Sequence, residues 1–157
     1  MPLSGLLEAV LSEGDGRDLA EAARRTGVDV QAITAMNPLA VAAIAAERER
    51  GGAGRPVLAV TATSRQAEDL ASGLHCLLRD RQVEVFPAWE TLPHERLSPR
   101  ADTVGRRLSV LRRLVHPAAH DPLRVIVAPA RSLLQPMAPG LADLEPVELV
   151  SGQSIEL

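Results

Sequence analysis

Arg55-Pro56-Val57-Leu58-Ala59-Val60-Thr61 is a short, almost unbroken apolar run. A strand with one wet face alternates polar and apolar residues. A continuous run of this length reads instead as a strand buried on both faces, as in a parallel sheet covered by helices. The residues that follow supply such a cover: from Ser64 onward Ala67, Leu70, Ala71, Leu74, Leu77 and Leu78 recur at helical spacing. A second run, Leu123-Arg124-Val125-Ile126-Val127-Ala128, repeats the strand character, and Val83-Glu84-Val85-Phe86 forms a shorter one between them. Helices lie between the strands, so the connections are crossovers and the sheet is mostly parallel, with helices on both faces.

Working outward, Val28-Asp29-Val30-Gln31-Ala32-Ile33 is expected as a first strand, and Asn37-Pro38 as the cap and first-turn proline of a helix through about Glu49. Gly51-Gly52-Ala53-Gly54 is a turn. Asp102 or Thr103 opens a helix whose apolar stripe is Val104, Leu108, Leu111, Leu114 and Val115. Residues 131–137 form a short helix, and Pro146-Val147-Glu148-Leu149-Val150 an edge strand. Upstream, residues 3–12 and about 17–25 make two short helices. The organisation expected is a helical preface over residues 1–27 and an α/β domain over residues 28–157. Residues 151–157 carry no terminating signal, so the chain reads as a piece of a longer protein, cut before its next domain.

Composition narrows the chemistry. The 157 residues carry 17 basic side chains, every one an arginine, so no step that needs a lysine can take place. A net charge of −3 argues against a strongly basic nucleic-acid footprint over the whole domain. Cys76 is alone, which rules out a disulfide framework or a cysteine-based zinc site. No apolar stretch approaches the roughly 20 residues that span a bilayer, and the N-terminus lacks a signal peptide's pattern, so a cytoplasmic setting is expected and no membrane partner.

In an open parallel sheet, ligands sit at the carboxyl ends of the strands, here residues 34–38, 61–64, 87–99 and 129–132. A triphosphate site needs a glycine-rich loop with Lys and Ser/Thr. Thr34-Ala35-Met36-Asn37-Pro38-Leu39-Ala40 occupies that place with no Gly and no Lys, and its proline removes an amide donor. No Walker A loop is built, and no catalytic, cofactor or metal residue is assigned. His94 and Glu95 have no convergent partner for acid–base work. His116 and His120 have metal-ligand spacing, but Pro117 and Pro122 interrupt a helix there. Cys76 reads as a small core residue. Arg106, Arg107, Arg112 and Arg113 fall on the flanks and back of their helix, either as an anion-binding face or as a solvated one paired with carboxylates.

The chain's only Phe and only Trp lie together in Phe86-Pro87-Ala88-Trp89-Glu90-Thr91-Leu92-Pro93-His94-Glu95-Arg96-Leu97-Ser98-Pro99, and there is no Tyr. A proline-bounded loop leaving a strand end is a shaped surface. Trp89 either plugs a gap between sheet and helix or meets a partner. This loop, followed by Asp102 and by Arg107-Leu108-Ser109-Val110-Leu111, resembles the N-terminal region of the bacterial transcription-repair coupling factor family, with His94 where the family often has Tyr. The family pattern is carried by Trp89, Glu90, Thr91, Leu92 and Pro93, by Ser98 and Pro99, and by the Arg-Leu-x-x-Leu helix. The likeness extends from about residue 28 onward.

That resemblance implies a degenerate helicase-motor module, related to P-loop NTPases and similar to the first domain of the excinuclease B protein, with its phosphate loop lost. It implies a non-catalytic scaffold domain with no cofactor of its own, while ATP and magnesium belong to later motor domains of the parent. The implied partners are other domains of the parent chain, the excinuclease A protein through the following domain, and RNA polymerase and DNA through the parent. The alternative is a nucleotide-binding motor domain of a helicase of the excinuclease B type, which the absence of Lys and Tyr opposes.

Overall fold

Three short parallel strands form the centre of the molecule in the order β1-β3-β2, with β1 at Val57–Thr61, β2 at Val83–Val85 and β3 at Val125–Pro129. The structure is a computed structural model that describes residues 3–25, 27, 29–78, 82–91, 98–117 and 122–144. Around the sheet run α1 (Ser4–Ser12), α2 (Gly14–Arg25), α3 (Asn37–Ala45), α4 (Ser64–Leu77), α5 (Ala101–Val115) and α6 (Ala130–Leu134). Short 3-10 turns at Thr34–Met36, Arg48–Arg50 and Leu141–Asp143 complete it. None of the described helices is long and apolar enough to cross a membrane.

Register fixes the two faces. Val57 pairs with Val125 and Ala59 with Val127 on one side of β3, while Val83 and Val85 face the same two residues on the other. Val125, Val127, Val83, Val85 and Ala59 turn into one core with Ala42, Ala43, Ala67, Ala71, Leu74 and Leu77 of α3 and α4. Ile126 and Ala128, one residue out of phase, meet Phe86, Leu123 and Val110 of α5 on the opposite face. β3 is buried at every position, as its apolar run requires.

Local signals explain most boundaries. Thr63 caps α4 in a reciprocal box with Gln66, an arrangement contributing about 1 kcal/mol. Pro38 stands in the first turn of α3, where its missing amide costs nothing. The first turn of α3 lies against α4 at Gly73, where a Cβ would stand 2.7 Å from Pro38 Cγ. α1 and α2 are part of this body: Leu7 and Leu11 belong to the main core, and Arg24 bonds the Gly52 carbonyl.

Five expectations need correction. β1 is not buried on both faces: Leu58 and Val60 stand 51% and 54% exposed, because the helix on that side, α5, packs over β2 and β3. Residues 29–33 form no strand; Val30 and Ile33 stand 54% and 72% exposed. Apolar spacing alone does not make a strand where no neighbouring strand pairs with it. Cys76 is exposed, its thiol donating to the Ser72 carbonyl, because the inward row of α4 runs through positions 67, 71, 74 and 77. The helix through about Glu49 ends at Ala45. Finally, α5 is rotated: it buries Thr103, Arg107 and Val110, while Leu114 and Val115 are exposed. The expected edge strand at residues 146–150 and the stretch 151–157 lie outside the described residues.

Candidate functional site

The rotation of α5 traces to one side chain. Arg107 is 0% exposed, and its guanidinium carbon lies 4.1 Å from the centroid of the Phe86 ring and 4.2 Å from that of Trp89. The only Phe and the only Trp of the chain thus both stack on one cation. Its Nη1 donates to the Pro87 carbonyl at 2.6 Å, and its Nη2 to the Met137 sulfur at 2.8 Å and more distantly to the Ser132 carbonyl at 3.5 Å. Among the described residues no acceptor meets its Nε. Burial lowers its pKa, yet a guanidinium this basic keeps its charge.

The backbone that carries the rings is held twice more. Gln135 clasps Trp89, its Oε1 accepting the Trp89 amide at 2.7 Å and its Nε2 donating to the Trp89 carbonyl at 3.2 Å. Glu90 accepts the Thr103 hydroxyl. α5 has no side-chain cap of its own, and Glu90 reaches its first turn from outside. The Thr103 hydroxyl, the Glu90 amide and the Arg100 amide and charge together hold the Glu90 carboxyl below its usual range. Residues 86–90 therefore form a strap across the carboxyl end of the sheet, tied to α5 at two points and to the segment after α6 at a third. The two halves of the sequence pattern, Trp-Glu and Arg-Leu-x-x-Leu, touch each other.

The other expected positions are placed as follows. Thr91 is half-buried at the end of the strap, and Ser98 and Pro99 lead into α5. Leu92, Pro93, His94 and Glu95 lie outside the described residues, as does His120. Arg106 pairs with Glu68 at 3.4 Å, Arg113 with Glu84 at 2.8 Å, and Arg112 donates to the Leu144 carbonyl at 2.9 Å. Arg107 does not share their face. His116 faces Asp143 at 3.7 Å on the surface. No group of three or more His, Cys, Asp or Glu side chains among the described residues gathers closely enough to hold a metal. Sequence reasoning missed Thr103, Ser132, Gln135 and Met137, all polar or flexible residues whose inward role depends on the strap. The available signal was the spacing of Thr103, Arg107 and Val110, which puts them on one helical face.

A second feature is a cleft of about 510 Å³ at the carboxyl end of β1, between the first turn of α3 and the start of α4. Asn37, Pro38, Val60, Thr61, Gln66 and Asp69 line it, and none of its lining residues is basic. This is the place a phosphate loop would take. A proline, a carboxylate and no cation do not fit a triphosphate.

Geometry thus defines a small α/β module, with a parallel sheet whose second crevice is strapped shut by a cation and whose first lacks an anion cradle. No protein-family model matches the chain. Over 155 residues, 96% of its length, the chain is 44% identical to the transcription-repair-coupling factor of Mycobacterium bovis and equally to that of Mycobacterium tuberculosis. It spans 12% of the length of these relatives. The resemblance carried by the Trp-Glu-Thr-Leu-Pro loop is borne out: the chain is a counterpart of one segment of the transcription-repair-coupling factor, consistent with an N-terminal domain.

Proposed function

We propose that this chain is a non-catalytic scaffold and interaction domain of a transcription-repair coupling factor. In this reading the longer protein displaces RNA polymerase stalled at a DNA lesion, using ATP and magnesium in later motor domains. It recruits excision repair through the excinuclease A protein, met by the domain that follows. The chain itself is a degenerate motor module of the excinuclease B type, working in the cytoplasm.

The observation that carries the scaffold role is the outer part of β1. α5 covers β2 and β3 on its side of the sheet but leaves Leu58 and Val60 at 51% and 54% exposed. β1 is also an edge strand among the described residues. An uncovered apolar edge is a liability in a free domain and a ready seat for another part of a longer chain. The motor-domain alternative is not favoured, since the β1 cleft offers no cation to phosphate.

Two measurements test the reading. Titration calorimetry with magnesium-ATP should give no binding heat, and a micromolar dissociation constant would overturn the non-catalytic assignment. A pull-down on the excinuclease A protein should recover a chain extended by about one further domain and not the 157-residue chain. Equal recovery of both would move the excinuclease contact into this domain.

A further inference from the structure

Arg107 is bound by its surroundings in the way a protein binds a ligand. Two ring faces stack on it at 4.1 and 4.2 Å, carbonyls of Pro87 and Ser132 and a thioether meet its nitrogens, and water is excluded. None of the hydrogen-bond partners described for this guanidinium is a carboxylate. Recognition here rests on flat shape, π faces and lone pairs rather than on a counter-charge. A compact, strongly hydrated ammonium could neither lie flat against the rings nor spread its donors in a planar fork.

We propose that Phe86, Trp89 and the carbonyls of Pro87 and Ser132 form a cage selective for an alkylguanidinium, and that Arg107 is its ligand in cis, the latch that seats the strap. The site stands at the carboxyl end of β2 and β3, where an open α/β sheet ordinarily receives a ligand from solution. Here the ligand is delivered by α5. The three segments it joins, residues 86–90, α5 and residues 132–137, also meet in the apolar cluster of Phe86, Val110 and Met137, and at the rim through the Gln135 clasp and the Glu90–Thr103 bond. Phe86 is anchored by that cluster, but Trp89 is only partly buried and does not belong to it, so the seating of Trp89 rests on the cation and the Gln135 clasp. This inference stands independently of the scaffold role.

Chemical rescue of the 157-residue chain tests it. Arg107→Ala should lower the melting temperature by about 5–10 °C and open Trp89, the only fluorescent side chain of consequence, to a soluble quencher. Millimolar ethylguanidinium should restore part of both properties in Arg107→Ala and change neither in the unaltered chain, whereas ethylammonium should restore nothing. Absence of rescue in a folded Arg107→Ala chain, or equal rescue by ethylammonium, would overturn the cage. If Arg107→Ala does not fold, Arg107→Met, which keeps most of the volume, carries the test. A Met variant with an unseated Trp89 supports the latch, and one with unaltered melting and quenching overturns it.

Discussion

Glu90 shows how one exposed side chain can serve two elements. Its carboxylate caps the first turn of α5 from the strap, and the Thr103 hydroxyl, its own amide and Arg100 hold its pKa below the ordinary 4.5. A carboxylate whose folded-state pKa is depressed stabilises the fold above its unfolded value, and that contribution disappears as pH falls through the lower folded value. Thermal unfolding of the unaltered chain should therefore weaken more steeply than that of Glu90→Gln as pH drops from about 5 to about 3. Superimposable profiles would show that Glu90 does not couple the strap to α5. At this scale the sequence exposes the parts and hides the partnership. Trp89 and Arg107 stand out in the chain, the one as its sole indole and the other within an arginine-rich helix. Their stacking depends on a crossing of strand end and helix that hydropathy does not encode. Hydropathy scores an arginine outward, and only two rings and two carbonyls at the same spot make its burial tolerable.

Among the elements, α1 and α2 depend on close backbone approach. A Cβ on Gly16 would stand 2.2 Å from the Val10 carbonyl oxygen, so the two helices meet only because that position is glycine. Gly16→Ala should cost about 1–3 kcal/mol in urea unfolding, since backbone must move to admit the methyl group. Gly105, in the middle of α5, meets nothing within 4 Å, and Gly105→Ala should instead stabilise by about 0.5–1 kcal/mol. Similar effects at both positions would mean that the hairpin is not packed as described. β3 and α4 were legible because burial on both faces and a helical stripe leave strong signals, whereas β1 carries the same kind of apolar run yet leaves Leu58 and Val60 exposed among the described residues. The face of α5 was not, because its inward residues Thr103 and Arg107 are polar and are accepted only through partners on the strap. Residues 29–33 misled for the opposite reason: they are apolar enough for a strand, but pairing is a property of two segments.

For the whole molecule, the N-terminal helices and the α/β body share one core through Leu7 and Leu11, so residues before 28 are not a detachable preface in packing terms. The sheet depends on β3 in the same way. Among the described residues β1 and β2 each pair with β3 and not with each other, so a chain ending at residue 122 loses every strand pairing described. Such a truncation should retain some helical circular dichroism but show no cooperative urea transition; a sharp transition would mean the helices fold without the sheet. The strand order also sets a schedule during synthesis. The central strand is the last of the three to be made, so β1 and β2 leave the ribosome with no partner, and the interval before β3 emerges is on the order of a few seconds at ordinary elongation rates. Until then the nascent chain exposes two strand edges and the apolar row of α4. Translation speed across residues 86–125 is thus a determinant of yield for this domain: slow codons there lengthen the exposure, and fast ones shorten it.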